Sequence, residues 1–213
     1  MNILAITDIH GRQSFSDKLK SIMSEVDLIV IAGDITDFGD VQDAQTIIEN
    51  LMLYNENILA VTGNCDHPAI NTLLTRMNID LQTKERAIGN IKFFGLSGSG
   101  KTPFSTPQEY TESEFSSSFK KMKKDDNYRY HILVSHAPPL RTKLDRTFLG
   151  IHAGSKAVRD FIMAFHPDLV ICGHIHEARG TDKIGSTVVL NPGPFPKHYA
   201  IIRISEKIAF ELC

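Results

Sequence analysis

The chain has 213 residues, 42% hydrophobic and 23% charged, so it can bury a full core as one globular domain spanning 1–213. Its formal net charge of −2 gives no electrostatic case for nucleic acid or an anionic membrane as partner. Three cysteines without framework spacing (Cys65, Cys172, Cys213) fit free thiols, and no apolar run approaches a membrane span, so the chain reads as soluble and cytoplasmic.

Asn2 to Thr7 (NILAIT) predicts a strand, begun too early to leave room for a signal segment, and it ends in Asp8-Ile9-His10-Gly11. Phe15, Leu19, Ile22, Met23 and Val26 recur at spacings of three and four, which predicts a helix from about Ser14 to Val26. Four aliphatic residues, Leu28 to Ile31, then stand between Asp27 and Gly33-Asp34. Such a run suits a central strand buried on both faces. A carboxylate after it belongs past the strand's C-terminal end, where open α/β sheets bind ligands. Taken alone, Asp34 reads as the N-cap of the next helix.

Val41 to Tyr54 predicts that helix, with Ala44, Ile47, Ile48 and Leu51 on one face. Asn57 to Thr62 (NILAVT) nearly repeats the first strand and ends in Gly63-Asn64-Cys65-Asp66. Pro68 stands near the start of a third helix bearing Ile70, Leu73, Leu74 and Met77. Strand, polar tip and helix thus recur three times, the pattern of a layered α/β fold with a largely parallel core.

Leu81 to Thr83 and Ile91 to Leu96 predict short strands around a Gly89-Asn90 turn. Ser97 to Tyr110 is a Gly/Ser/Pro-rich loop, and Glu112 to Lys124 predicts a helix with Phe115, Phe119 and Met122 inward. Tyr130 to Val134 is a strand ending in Ser135-His136, and Gly154 to His166 a helix. Asp168 to Cys172 is a strand ending in Gly173-His174-Ile175-His176. A strand from Thr187 to Leu190 precedes a terminal hairpin of Tyr199 to Ile204 and Lys207 to Leu212. Four strands in this last third point to a second sheet with antiparallel pairing.

Five apolar strands therefore end in Asp8 and His10, Asp34, Asn64, His136, and His174 with His176. Imidazole nitrogens, carboxylate oxygens and one amide oxygen are the ligand set of borderline divalent ions such as Mn²⁺, Fe²⁺, Ni²⁺ or Zn²⁺. No thiolate cluster suggests structural zinc. Seven candidate ligands exceed one ion and fit two, provided one carboxylate bridges. Asp-x-His and His-x-His place alternate residues on one side of an extended segment, so each pair can reach one centre.

The succession Asp8-Ile9-His10, Gly33-Asp34, Gly63-Asn64, His136, Gly173-His174-Ile175-His176 resembles the calcineurin-like metallophosphoesterase superfamily, in the family's order. The resemblance implies two mixed β-sheets packed as a sandwich flanked by helices, an α/β fold. It implies that Asp8, His10 and His176 bind one divalent ion, that Asn64, His136 and His174 bind the other, and that Asp34 bridges. Asp34, Asn64 and His136 are then the expected catalytic residues. The implied reaction is hydrolysis of a small-molecule phosphate ester by a metal-bridging hydroxide, with two ions about 3.5–4 Å apart.

Where most members carry a histidine after Gly-Asn, this chain has Cys65, followed by Asp66 and His67. A thiol is a weak donor and cannot replace imidazolium. Gly-Asn-Cys-Asp resembles a subgroup of small prokaryotic members associated with phosphodiesterase activity, which favours a diester over a monoester. Cys65 and His67 are secondary catalytic candidates, His67 as a source of the missing imidazole. The alternative reading is a non-catalytic scaffold on this fold, as in the retromer subunit resembling the family. Gly95 to Thr102 also matches the P-loop pattern G-x-x-x-x-G-K-S/T, but Pro103 and Pro107 interrupt the helix that pattern requires.

Arg12, directly after the first block, is the best-placed phosphate contact, and Arg141 and Arg146 are further candidates. His152 and His198 could also approach the site. Lys120, Lys121, Lys123 and Lys124, balanced by Asp125 and Asp126, read as a solvated helix face.

Overall fold

A computed structural model describes residues 1–82 and 84–213. Strands β1 (Asn2–Ile6), β2 (Leu28–Ala32) and β3 (Ile58–Val61) run parallel, with Ile3 opposite Leu28 and Val30 opposite Leu59. Parallel neighbours need crossovers, which helices α1 (Asp17–Glu25) and α2 (Val41–Met52) supply. Side chains alternate between the two faces of the sheet. Leu4, Ile6, Ile29 and Ile31 turn outward to pack against α1, α2 and α3 (Ala69–Arg76). Ile3, Ala5, Leu28 and Val30 turn inward.

The inward residues meet a second sheet. It contains β4 (Arg86–Ile88), β5 (Ile91–Leu96), β6 (Tyr130–Ser135), β7 (Leu169–Ile171), β8 (Gly180–Ile184) and β9 (Thr187–Asn191), in the order β4-β5-β6-β7-β9-β8. Its inner face brings Phe93, Ile132, Val134, Leu169 and Leu190 into the core between the sheets. Its outer face packs Phe94, Leu133 and Val170 against α4 (Glu112–Phe119) and α5 (Lys156–Phe165). The result is the expected α/β sandwich of two mixed sheets flanked by helices.

Several local expectations change. The antiparallel partner of β5 is β4, not Leu81 to Thr83. Leu81 is buried between the sheets and its N–H donates to Ala60 O, so the chain there clings to β3; Thr83 lies outside the described residues. The terminal hairpin, β10 (Ala200–Ile204) and β11 (Ile208–Leu212), joins the first sheet rather than the second. β10 pairs antiparallel with β1, Ile202 opposite Ile3, so β1 becomes the middle strand of five. α4 stops at Phe119, short of Lys124, with Lys120 as its C-cap, while Met122 beyond it still packs against the core. β8 is an addition to the expected strands: only Ile184 of its five residues is buried. Among the described residues no helix is long and apolar enough to cross a membrane.

Candidate metal centre

The C-terminal ends of β1, β2, β3, β6 and β7 meet where the two sheets adjoin. The turn after β1 lies across the turn after β2: Asp8 N–H donates to Gly33 O (3.0 Å) and His10 N–H to Asp34 O (3.0 Å). Asp8, His10, Asp34 and His174 all have left-handed backbones, with φ of 53°, 46°, 50° and 71°. Each such residue costs about 1–3 kcal/mol, and such strain concentrates at functional sites. Asp34 is not a helix cap; α2 is capped by Asp40, in a capping box with Asp43.

These turns bring the predicted side chains together. Asp34 Oδ2 lies 3.4 Å from His136 Nε2 and 3.7 Å from His10 Nε2. His176 Nε2 is 3.3 Å from Asp8 Oδ1 and 3.1 Å from His10 Nε2. Asn64 Oδ1 is 3.0 Å from His136 Nε2, and the His174 ring centroid is 5.2 Å from that of His136. Asp8, His10 and His176 form one compact set of potential ligand atoms, and Asp8, Asp34 and His136 another.

The residue types need something more than each other. His136 Nδ1 lies 2.8 Å from Ala32 O, which fixes a proton on that nitrogen and turns Nε2 toward the oxygens of Asn64 and Asp34. Only a further proton or a cation can satisfy three acceptors converging there. Asp8 Oδ2 and His10 Nδ1 are buried and, among the described residues, have no hydrogen-bond partner. The orphaned carboxylate oxygen of Asp8 suits a divalent cation, whereas His10 Nδ1 lies on the ring edge opposite the Nε2 that faces Asp34 and His176, 3.7 Å from Asp37 Oδ1.

The carboxylates also draw positive charge inward. Burial lowers the pKa of His136, but the charge of Asp34 and its hydrogen bond outweigh this and raise it to about 9. Burial likewise works to raise that of Asp34, and His136 and then His10 hold it well below the ordinary range. His174 is pushed down to about 4, by burial and then by His136. His176 is raised, mainly by its hydrogen bond to Asp8.

Two glycines set how closely the tips approach. A Cβ on Gly63 would lie 2.0 Å from Asp34 Oδ1, and one on Gly173 would lie 1.9 Å from Thr7 Oγ1. The glycine before Asn64 and the glycine before His174 are therefore packing requirements. Two residues unassigned by the sequence support the tips. Asp66, fully buried, accepts from the N–H groups of Ile35 (3.1 Å), Thr36 (2.8 Å) and Gly63 (2.8 Å), locking the β2 and β3 turns together. Asn191 donates to Ile175 O (3.0 Å), between His174 and His176. The sequence signal for Asp66 is its place at the end of the Gly-Asn-Cys-Asp run, and that for Asn191 its place at the polar end of an apolar strand.

The remaining candidates divide. Cys65 N–H donates to Asp34 Oδ1 (2.9 Å), and its sulfur lies close to His10 and Asp34. Burial, then the nearby Asp34, raises the pKa of this thiol, so it keeps its proton. His67 is exposed, and its carbonyl accepts from Ile70 N–H at the start of α3. Arg12 donates to Phe195 O (3.3 Å) and, with His176, Glu177, Lys197 and His198, lines a cleft of about 800 Å³. Arg141 and Arg146 are exposed on the loop after β6, and Arg146 folds back over Gly150 of that loop. His152 turns away to Asp145, Nδ1 to Oδ1 2.8 Å. No helix starts at Lys101, which is exposed; the next helix, α4, begins at Glu112. The loop instead reaches the centre through Thr106, whose Oγ1 accepts from Asn64 Nδ2 (3.1 Å).

Residues 1–178 match the family described as calcineurin-like phosphoesterase. An uncharacterized protein of Methanocaldococcus jannaschii is 40% identical over 198 residues, covering 91% of this chain and 88% of its own. Among solved structures, a Thermus thermophilus protein is 16% identical with a TM-score of 0.73, over 99% of this chain and 97% of its own. A dimetal phosphatase from Danio rerio is 13% identical with a TM-score of 0.67, over 100% and 95%. At those identities the two structures are alike in fold.

Proposed function

The chain belongs to the calcineurin-like phosphoesterase family, and from that premise we propose that it is a two-metal phosphodiesterase acting on a small-molecule diester in the cytoplasm. The observation that carries the reading is the position of Asp34 Oδ2, 3.4 Å from His136 Nε2 and 3.7 Å from His10 Nε2, so that one oxygen faces both halves of the ligand set. Asp8, His10 and His176 would hold one ion and Asn64, His136 and His174 the other, with the Asp34 carboxylate shared between them. The donor set fits Mn²⁺, Fe²⁺, Ni²⁺ or Zn²⁺. Two such ions, when bound, polarise the phosphoryl group, make water a stronger nucleophile and offset developing charge.

The chain's own residues do the rest. The Ala32 carbonyl keeps His136 in the tautomer that turns Nε2 to the centre (2.8 Å). Cys65 N–H holds Asp34 Oδ1 and leaves Oδ2 free for the centre. Arg12, on the rim of the cleft beside His176, contacts the phosphate or an anionic arm of the substrate. Arg141 and Arg146, exposed on the loop after β6, stay outside this assignment. The diester preference rests on Cys65. A buried, protonated thiol supplies no imidazolium to a poor leaving group. The Gly-Asn-Cys-Asp run also resembles that of the small phosphodiesterase-type members.

The test is hydrolysis of bis-p-nitrophenyl phosphate against p-nitrophenyl phosphate after reconstitution with each of the four metals. Metal-activated, EDTA-sensitive cleavage with the diester preferred is expected, and loss of it in Asp34→Asn. Absence of cleavage of either ester with every metal would sink the proposal.

A further inference from the structure

We propose that Thr106 and Glu109 fix which end of the Asn64 amide faces the metal centre, making both positioning residues for that ligand. The inference rests on the two-ion reading above, in which Asn64 binds through its oxygen.

The two ends of an asparagine amide are alike in size and opposite in hydrogen-bonding character. Something must decide which one points inward. Asn64 Oδ1 faces His136 Nε2 at 3.0 Å, while Nδ2 faces Thr106 Oγ1 at 3.1 Å. The only other contact of Nδ2 among the described residues is Cys65 Sγ at 3.5 Å, a weak acceptor. A hydroxyl can donate or accept, so Thr106 alone would not discriminate. Glu109 removes that freedom. Its Oε1 takes the hydroxyl of Thr106 at 2.9 Å, the N–H of Thr106 at 2.8 Å and the hydroxyl of Thr102 at 2.5 Å.

An ionised carboxylate only accepts. Glu109's side chain is 6% exposed, and although burial works against ionisation, the threonine hydrogen bonds hold its pKa down at about 2. The single hydroxyl proton of Thr106 therefore goes to Glu109. Only a lone pair is left to meet Asn64, and only the NH₂ end can meet it. The carbonyl oxygen is thereby turned to the centre. Polarity passes from a carboxylate at the loop, through one hydroxyl, to a metal ligand.

The backbone makes this arrangement stiff. Gln108 N–H donates to Asn64 O (3.1 Å), and Gln108 Nε2 donates to Asp66 O (2.8 Å). The P-loop-like run acquires a role here. Its Lys101 Nζ lies 4.0 Å from Glu109 Oε2, and its Thr102 hydroxyl is bound to the same carboxylate. The side chains that in a P-loop would face a nucleotide's phosphates and its magnesium ion instead face Glu109.

The experiment compares wild type, Thr106→Val and Thr106→Ser by two readouts. Valine keeps the shape and removes the hydroxyl; serine restores it. In ¹⁵N-labelled protein with EDTA, the Asn64 side-chain NH₂ signals, identified by their absence in Asn64→Asp, should exchange slowly in wild type and Thr106→Ser. In Thr106→Val they should move and exchange fast. Calorimetric Zn²⁺ titration of each protein should then show one of two binding steps weakened about tenfold or more in Thr106→Val, the other step unchanged, and Thr106→Ser within about twofold of wild type. Unchanged amide signals together with unchanged zinc steps in Thr106→Val would overturn the proposal. If wild type takes up no zinc while the amide signals respond as described, the two-ion reading falls and the orientation of Asn64 by Thr106 stands.

Discussion

Adding one methyl group to Gly63 tests whether the approach of two turns builds the centre. The new Cβ would meet Asp34 Oδ1 at 2.0 Å and Asp34 N at 2.3 Å, and real contacts do not fall under 3.0 Å. The carboxylate can swing aside; the backbone nitrogen cannot. The β2 and β3 turns must therefore part, stretching Cys65 N–H to Asp34 (2.9 Å) and Thr36 N–H to Asp66 (2.8 Å). Overpacking costs about 1–3 kcal/mol, and weakening a hydrogen bond to a charged group adds about 1.5–3 kcal/mol. For a chain of this size each kcal/mol moves Tm by about 2–4 °C, so Gly63→Ala should unfold roughly 5–20 °C below wild type in EDTA. Displacing Asp34 should also weaken both metal-binding steps in a Zn²⁺ titration. Gly100→Ala is the control, since a Cβ there meets nothing within 4 Å; its Tm should stay within about 2 °C of wild type. A Gly63→Ala protein that melts like the control and binds zinc like wild type would refute the reasoning.

Three further outcomes follow. Asp34→Asn should weaken both ion-binding steps, whereas Asn64→Ala and His176→Ala should each weaken mainly one; calorimetry that finds a single step affected in Asp34→Asn would remove the bridging role. Cys65→His should raise hydrolysis of phenyl phosphate, a monoester with a poor leaving group, relative to bis-p-nitrophenyl phosphate by up to about 10²-fold, and an unchanged ratio would show that position 65 does not set the preference. Away from the centre, burial first lowers the pKa of His131 from 6.5, its ring lying against Phe94 and Phe165. The unfolded chain takes up that proton more readily than the folded one, so this contribution to stability is present above pH 6.5 and lost as the pH falls below it. In EDTA, the urea midpoint of His131→Gln should fall less between about pH 6.5 and 5 than that of wild type; parallel declines would count against the assignment.

The sequence is most readable where residues break the rule of their surroundings. Asp34 follows a strand buried along its whole length, and His136 follows another, so polar side chains there are conspicuous. Sheet membership is less readable, because it is decided by distant partners. The pairing of Ile202 with Ile3 leaves no mark in the local alternation of either strand. β8 escapes notice because Gly180–Ile184 is an edge strand with one buried residue, too polar to show a period. Thr106 and Glu109 sit in a loop without regular structure, where a resemblance to a phosphate-binding motif draws attention to Lys101 instead. His152 shows the opposite error: a histidine near the right edge whose partner is the buried Asp145 of its own loop.

The candidate ligands come from both sheets. Asp8, His10, Asp34 and Asn64 follow strands of the first, while His136, His174 and His176 follow strands of the second. Under the proposed assignment each ion has ligands on either side of that seam, so each is a cross-link between segments distant in the chain, as the 3.2 Å bond from His174 N–H to Asp8 across 166 positions already is. Such a site cannot assemble on either half alone, and contacts of that sequence separation carry a loop-closure cost that slows folding. Metal supply would then act as a quality check on the finished molecule. Each ion at about 100 times its Kd would add about 2.7 kcal/mol to the folded state alone, so a chain with its halves misjoined would remain both unloaded and less stable.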